Sequence, residues 1–130
     1  MDSPGRAAAL LEGLRGVAEA GCAAAGRGAA EAFVEAIAEY GRGLQNLGVA
    51  IGADIVTVEH RQIGEDARRH GVAYKVSGAG GGDLGLACAA DREALEAFKR
   101  AVRKRGFRVV DVSPAPRGLT VDERVEERME

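Results

Sequence analysis

The run Lys75-Val76-Ser77-Gly78-Ala79-Gly80-Gly81-Gly82-Asp83 holds the residue types best suited to chemistry in this chain. Gly78, Gly80, Gly81 and Gly82 lack a Cβ, so the backbone can take angles closed to other residues and a ligand can approach the main chain. Successive N–H groups turned inward in such a loop form a nest for anions, phosphate above all. Lys75 before the glycines and Asp83 after them add a cation and a carboxylate, which fits a phosphorylated, metal-associated ligand. By composition alone, a flexible hairpin turn is the simpler reading. Two other glycine motifs are excluded by spacing. A Walker loop needs a Lys directly after its last Gly, and none follows here. Gly80, Gly82 and Gly85 have the dinucleotide spacing, but that pattern must open a helix, whereas Gly85 falls in an apolar, strand-like run.

The loop needs elements to hold it. Val72 to Val76 and Leu84 to Ala89 read as strands on either side, and their alternation groups Tyr74 and Val76 with Leu84, Leu86 and Cys88 on one face. Lys75 and Ser77, with Gly85, Ala87 and Ala89, fall on the other. Upstream, residues 6–20 form a helix with a stripe of Leu10, Leu14, Val17 and Ala18, broken by Gly21 and the Gly26–Gly28 region. A second helix spans about Ala29 to Ile51, with Phe33, Ile37, Leu44, Leu47 and Ile51 on its apolar face. Each interior Gly costs roughly 1 kcal/mol against Ala. Gly41, Gly43 and Gly48 therefore indicate close approach by another element or a ligand, or else an unoptimised helix. Asp54 to Val56 is an extended connection, and Thr57 caps a third helix that ends at Gly71.

Downstream, Asp91 caps a fourth helix with a stripe of Leu95, Phe98, Ala101 and Val102. Glu93 sits near its start and Arg103, Lys104 and Arg105 near its end, as the helix dipole favours. That basic cluster reads as a solvated helix end. Gly106 ends the helix, Phe107 to Val112 reads as a third strand, and Ser113 to Pro116 as a turn. Gly118 to Val121 adds a short fourth strand, and Asp122 to Glu130 a charged tail.

At 130 residues the chain suits one domain with a single core. A net charge of -2 argues against a general nucleic-acid or anionic-membrane binder. No segment reads as a membrane span, and the first residues lack signal-peptide form. Cys22 and Cys88 read as small buried hydrophobes in a reducing cytosol. His60 and His70, ten apart, do not stack on one helix face, which disfavours a metal site.

The segment Lys75 to Asp83, with Leu84-Gly85-Leu86-Ala87 after it, resembles the third signature motif of the GHMP kinases. Its triple glycine followed by Asp is most similar to the bacterial phosphomevalonate kinase branch. Leu44-Gln45-Asn46-Leu47-Gly48 and Ile55-Val56-Thr57-Val58-Glu59 resemble that branch's upstream segments, so the likeness covers roughly residues 28 to 121. Val76, Leu84 and Val58 depart from the branch pattern.

The resemblance implies a ferredoxin-like α+β sandwich, with an antiparallel sheet of about four strands covered by helices, and the order of elements read above fits it. It also implies ATP and Mg2+ as cofactors and phosphoryl transfer onto a phosphorylated small molecule. On that reading the N–H groups of Gly78, Ala79, Gly80, Gly81 and Gly82 line the phosphate-transfer site. Lys75 and Ser77 bind substrate, and Asp83 orients substrate or a metal-bound water, with no direct metal ligand. Lys75 as a strand-end surface cation and Asp83 as a turn residue remain the ordinary alternatives. The family's second, nucleotide-phosphate motif does not occur here. The chain is therefore expected to be a C-terminal domain that works with an N-terminal GHMP domain, in a longer chain or a separate one, and is inactive alone. Mevalonate kinase, diphosphomevalonate decarboxylase and a non-catalytic metabolite- or partner-binding module stay open.

Overall fold

The computed structural model describes residues 4–78, 80–113 and 115–122. Helices α1 (Pro4–Gly26) and α2 (Ala30–Ile51) lead to α3 (Val58–Arg69), strands β1 (Ala73–Val76) and β2 (Gly85–Cys88), and helix α4 (Arg92–Lys104). The architecture is α+β, with a two-stranded antiparallel sheet.

Helix α1 does not break at Gly21. Gly21 is buried, and a Cβ there would stand 3.3 Å from the Cβ of Ala36 on α2. The small residue lets the two helices approach closely, and that contact outweighs its low helix propensity. Leu14, Gly21 and Ala24 form the buried seam of α1 against α2. The α2 glycines likewise mark close approaches: a side chain at Gly43 would strike Leu14, and one at Gly48 the carbonyl of Ala53. Cys22, expected inside, is exposed on the far side of α1, and Cys88 is half-buried.

Thr57 and Asp91 cap their helices as expected, accepting hydrogen bonds from the N–H of His60 and Glu93 respectively. Helices α3 and α4 then close a core of Ala67, Val72, Phe98 and Val102 over the sheet, with Tyr74 and Ala87 packed against it.

The ladder pairs Tyr74 with Ala87, Lys75 with Leu86 and Val76 with Gly85. Directly opposed residues share a face, so Tyr74 and Val76 lie with Gly85 and Ala87 rather than with Leu86 and Cys88. The sequence-based grouping is off by one residue because the length of the glycine loop, not the hydrophobic pattern, sets the register. A one-residue slip exchanges the faces. Leu84 and Leu86 consequently point away from the core, 64% and 44% exposed.

Ser77 donates its N–H to Leu84 O across the ladder at 2.8 Å. By the alternation of antiparallel pairs, Tyr74 and Val76 then direct their backbone groups outward from β1, as Gly85 and Ala87 do from β2. Helix α2 closes the β1 edge, where a Cβ on Gly41 would run into the Tyr74 carbonyl. Lys75 Nζ donates to Val76 O at 2.8 Å on the same edge.

No third or fourth strand forms among the described residues. After α4, Phe107 and Val109 lean on the core while Arg108 and Val110 are exposed, so burial alternates over 107–110 and stops there, Asp111 and Val112 both being exposed. The segment is tied down at its ends, by Phe107 N–H to Val102 O and by Lys99 to Asp111. It has no ladder partner among the described residues, and alternation without paired backbone groups does not make a strand. Residues 118–121 are also irregular. Of the expected turn, Pro114 lies outside the described residues, as does the tail beyond Asp122.

Candidate functional site

The glycine loop leaves the sheet at Ser77 and returns at Leu84. Gly78, Gly80, Gly81 and Gly82 all have positive φ, at 66°, 77°, 84° and 121°. L residues pay roughly 1–2 kcal/mol to enter that region, so the path depends on glycine. Ile55, in the connection between α2 and α3, anchors the loop. Its carbonyl accepts the Gly81 N–H at 3.0 Å and would stand 2.5 Å from a Cβ on Gly80. The Gly81 N–H is therefore committed to Ile55. Those of Gly80 and Gly82 make no hydrogen bond to another described residue.

Other expected site residues scatter. Asp83 and Ser77 are exposed, and Asp83 has no ion-pair partner among the described residues. Lys75 turns away from the loop: its Nζ holds Val76 O and sits 5.5 Å from the centre of the Tyr40 ring. Ala79 lies outside the described residues. The loop thus assembles backbone donors and one carboxylate, with the lysine directed toward α2.

A second region was invisible in the sequence. Between α2 and α3, floored by β1, runs a groove of about 870 Å³. His60, in the first turn of α3, is 4% exposed, and its Nδ1 stands 2.5 Å from the Tyr74 hydroxyl. Tyr74 reaches that position by crossing over Gly85, where any Cβ would overlap its hydroxyl. Burial pushes the Tyr74 phenol up to about 12 and the His60 imidazole below its usual 6.5, with Glu59 opposing the second shift. Both groups are thus neutral near pH 7. Tyr74 and His60 Nδ1 share one hydrogen bond, and with the phenol as its donor the ring proton sits on Nε2. No buried side-chain nitrogen or oxygen among the described residues lacks a partner, and Nε2 makes no hydrogen bond. Nε2 therefore opens on the groove that His60 lines.

Spacing could have hinted at this pair, since Thr57 fixes where α3 begins and so where His60 points. Nothing in the sequence showed that Tyr74 would be beneath it. A third polar pair is structural. Buried Asp66 on α3 accepts two hydrogen bonds from Arg105 at the end of α4, at 2.5 and 3.1 Å. The Arg105 guanidinium holds the Asp66 carboxyl below its ordinary value. Arg105, read from the sequence as part of a solvated helix end, is thus a clasp between helices.

Among the described residues, no group of three or more His, Cys, Asp and Glu is placed to hold a metal ion. No described helix is long and apolar enough to cross a membrane. No protein-family model, curated protein or solved structure matches this chain.

Proposed function

We propose that this chain is the C-terminal domain of an ATP-dependent small-molecule kinase of the GHMP type, with phosphomevalonate kinase of the isoprenoid pathway as the branch its motif resembles most. The observation that carries the reading is the loop itself. Consecutive positive-φ glycines leave the Gly80 and Gly82 N–H groups without an acceptor among the described residues, beside the exposed carboxylate of Asp83. Open backbone donors in a tight turn suit phosphoryl oxygens.

Phosphoryl transfer relies on positioning and charge neutralisation rather than covalent catalysis, so a module that offers chiefly backbone donors can contribute to it. Here Gly80 and Gly82 would hold a phosphate, and Asp83 would orient substrate or a water on Mg2+. The residues fit a phosphate group; the donor set supplies one carboxylate toward Mg2+ and nothing evident for a nucleoside. Binding of the ATP nucleoside falls to an N-terminal GHMP domain. Lys75 would meet substrate only by releasing Val76 O.

Exposed Leu84, Leu86, Val110 and Val112 support docking against another domain, since a self-sufficient module would have fewer large apolar side chains in solvent. In the complete enzyme, residues 107–112 would join the sheet as part of a ferredoxin-like sandwich, working in the cytoplasm. Mevalonate kinase and diphosphomevalonate decarboxylase share this logic. A non-catalytic metabolite-binding module is the reading to which failure of the following test would lead.

The test is an amide NMR titration of the chain with phosphomevalonate and with mevalonate. Shifts at Gly80, Gly82 and Asp83 are expected with the phosphorylated compound only, and no ATP turnover by the chain alone. Equal response to mevalonate, or robust phosphate transfer by these 130 residues, would overturn the reading.

A further inference from the structure

The groove between α2 and α3 has features that the glycine loop does not share. The described loop residues, Gly78 and Gly80 to Asp83, contribute nothing to its lining. At its centre is a histidine nine-tenths buried, with one nitrogen tied to Tyr74 and the other open to the groove. Nε2 is unbonded yet not sealed from solvent, so a ligand acceptor in the groove can take the place of water there. Arg42 of α2 and Arg61 of α3 line the groove on opposite walls, and neither side chain has an ion pair or hydrogen bond among the described residues. The amide of Gln45 lines the same stretch, one turn along from Arg42.

Polarity along the groove gives a direction. Glu31 and Glu35 line it toward the start of α2, Glu35 about 15 Å from Gln45 at ~1.5 Å rise per residue. Glu65 lines it one turn beyond Arg61 on α3. Arg68 also lines the groove one turn beyond Glu65, so the carboxylate end is partly offset. The cationic surplus lies at the His60–Arg42–Arg61 end, where an anion is favoured. Val56 and Val76 provide apolar wall at the favoured end.

We propose that this groove is a second ligand site, taking a small metabolite that carries a carboxylate or phosphate, with the oxyanion held by His60 Nε2–H, Arg42 and Arg61. Guanidinium groups match such oxyanions geometrically. Neutral His60 acts as a directional donor, and Tyr74 acts as a positioning residue that fixes its tautomer.

The experiment titrates the isotopically labelled chain with inorganic phosphate and, separately, with succinate. It follows backbone amides together with the His60 side-chain nitrogens. Saturable shifts at Arg42, Gln45, Arg61 and His60 Nε2 are expected with at least one probe. Response to phosphate alone, succinate alone or both identifies the oxyanion. Because His60→Ala could unfold the core, the deciding variant is Arg61→Ala, an exposed side chain with no bonds to lose. It should weaken binding about tenfold, the loss of one charge-assisted contact, while circular dichroism stays unchanged. Tyr74→Phe should retain the Arg61-dependent shifts but alter the Nε2 response. Gly81→Ala should leave groove affinity intact, so failure of the glycine-loop reading and failure of this one are separable. No saturable response to either probe at the groove, shifts confined to residues 78–83, or full affinity in Arg61→Ala would each overturn the proposal.

Discussion

The glycine loop and the α2–α3 groove handle polarity in opposite ways. The loop exposes backbone: Gly80 and Gly82 present N–H groups while its flanking side chains either face solvent, as Asp83 does, or turn away, as Lys75 does. The groove buries side chains, with Tyr74 holding His60 at 2.5 Å over the floor of the sheet. A site made of main chain depends on φ and is sensitive to any Cβ. A site made of side chains depends on what lies beneath it. Glycine serves both, through conformation at Gly81 and through absence of volume at Gly85.

The sharpest way to break the groove while sparing the loop sequence is Gly85→Ala. The added methyl overlaps the Tyr74 hydroxyl, so Tyr74 must leave its position over the strand and release His60. Overpacking of this kind costs about 3 kcal/mol at the upper end of its range. Denaturant unfolding should show that loss, and the His60 ring signals should move.

Within the loop, Gly80→Ala and Gly81→Ala separate volume from conformation. Both positions have positive φ, but only Gly80 faces Ile55 closely, and nothing lies within 4 Å of a Cβ on Gly81. Gly81→Ala should cost about 1–2 kcal/mol from conformation alone. Gly80→Ala should cost more and detach the loop from Ile55. Equal melting temperatures for the two variants would contradict that anchoring.

The smallest effects come with pH, and they fall on the groove and core rather than the loop. His60 has a lowered folded-state pKa, so below about 6.5 the unfolded chain binds more protons and stability declines as pH drops. Asp66 is also lowered, by Arg105, so its contribution is present above about 3.8 and is lost as pH falls further through its folded value. Thermal melts from pH 7.5 to 3 should show two successive declines. His60→Gln should remove the upper one and Asp66→Asn the lower, Asp66→Asn also lowering the melting temperature by several degrees at neutral pH. Loop amide shifts should stay flat through the upper step.

The sequence by itself determined where the helices lie, two of their caps and the position of the glycine turn, because those depend on neighbours a few residues away. The continuation of α1 through Gly21 depended instead on its contact with Ala36. Thr57 and Asp91 cap where their types and places say they should, and Gly41, Gly43 and Gly48 announce close packing wherever the partner comes from. The sequence also carried the glycine run of residues 75–83 on which the proposed function rests. Only the tertiary structure decided the rest. The strand register put Tyr74 over Gly85 and opposite Ala87, exchanging the faces that alternation alone suggested. Helix α2 covered the β1 edge, and Phe107 and Val109 reached the core without a ladder partner, so no third strand formed among the described residues. His60 became half of a buried pair because a residue fourteen positions away passes beneath it. Such facts depend on which surfaces meet across long separations, and short-range residue patterns carry no record of them.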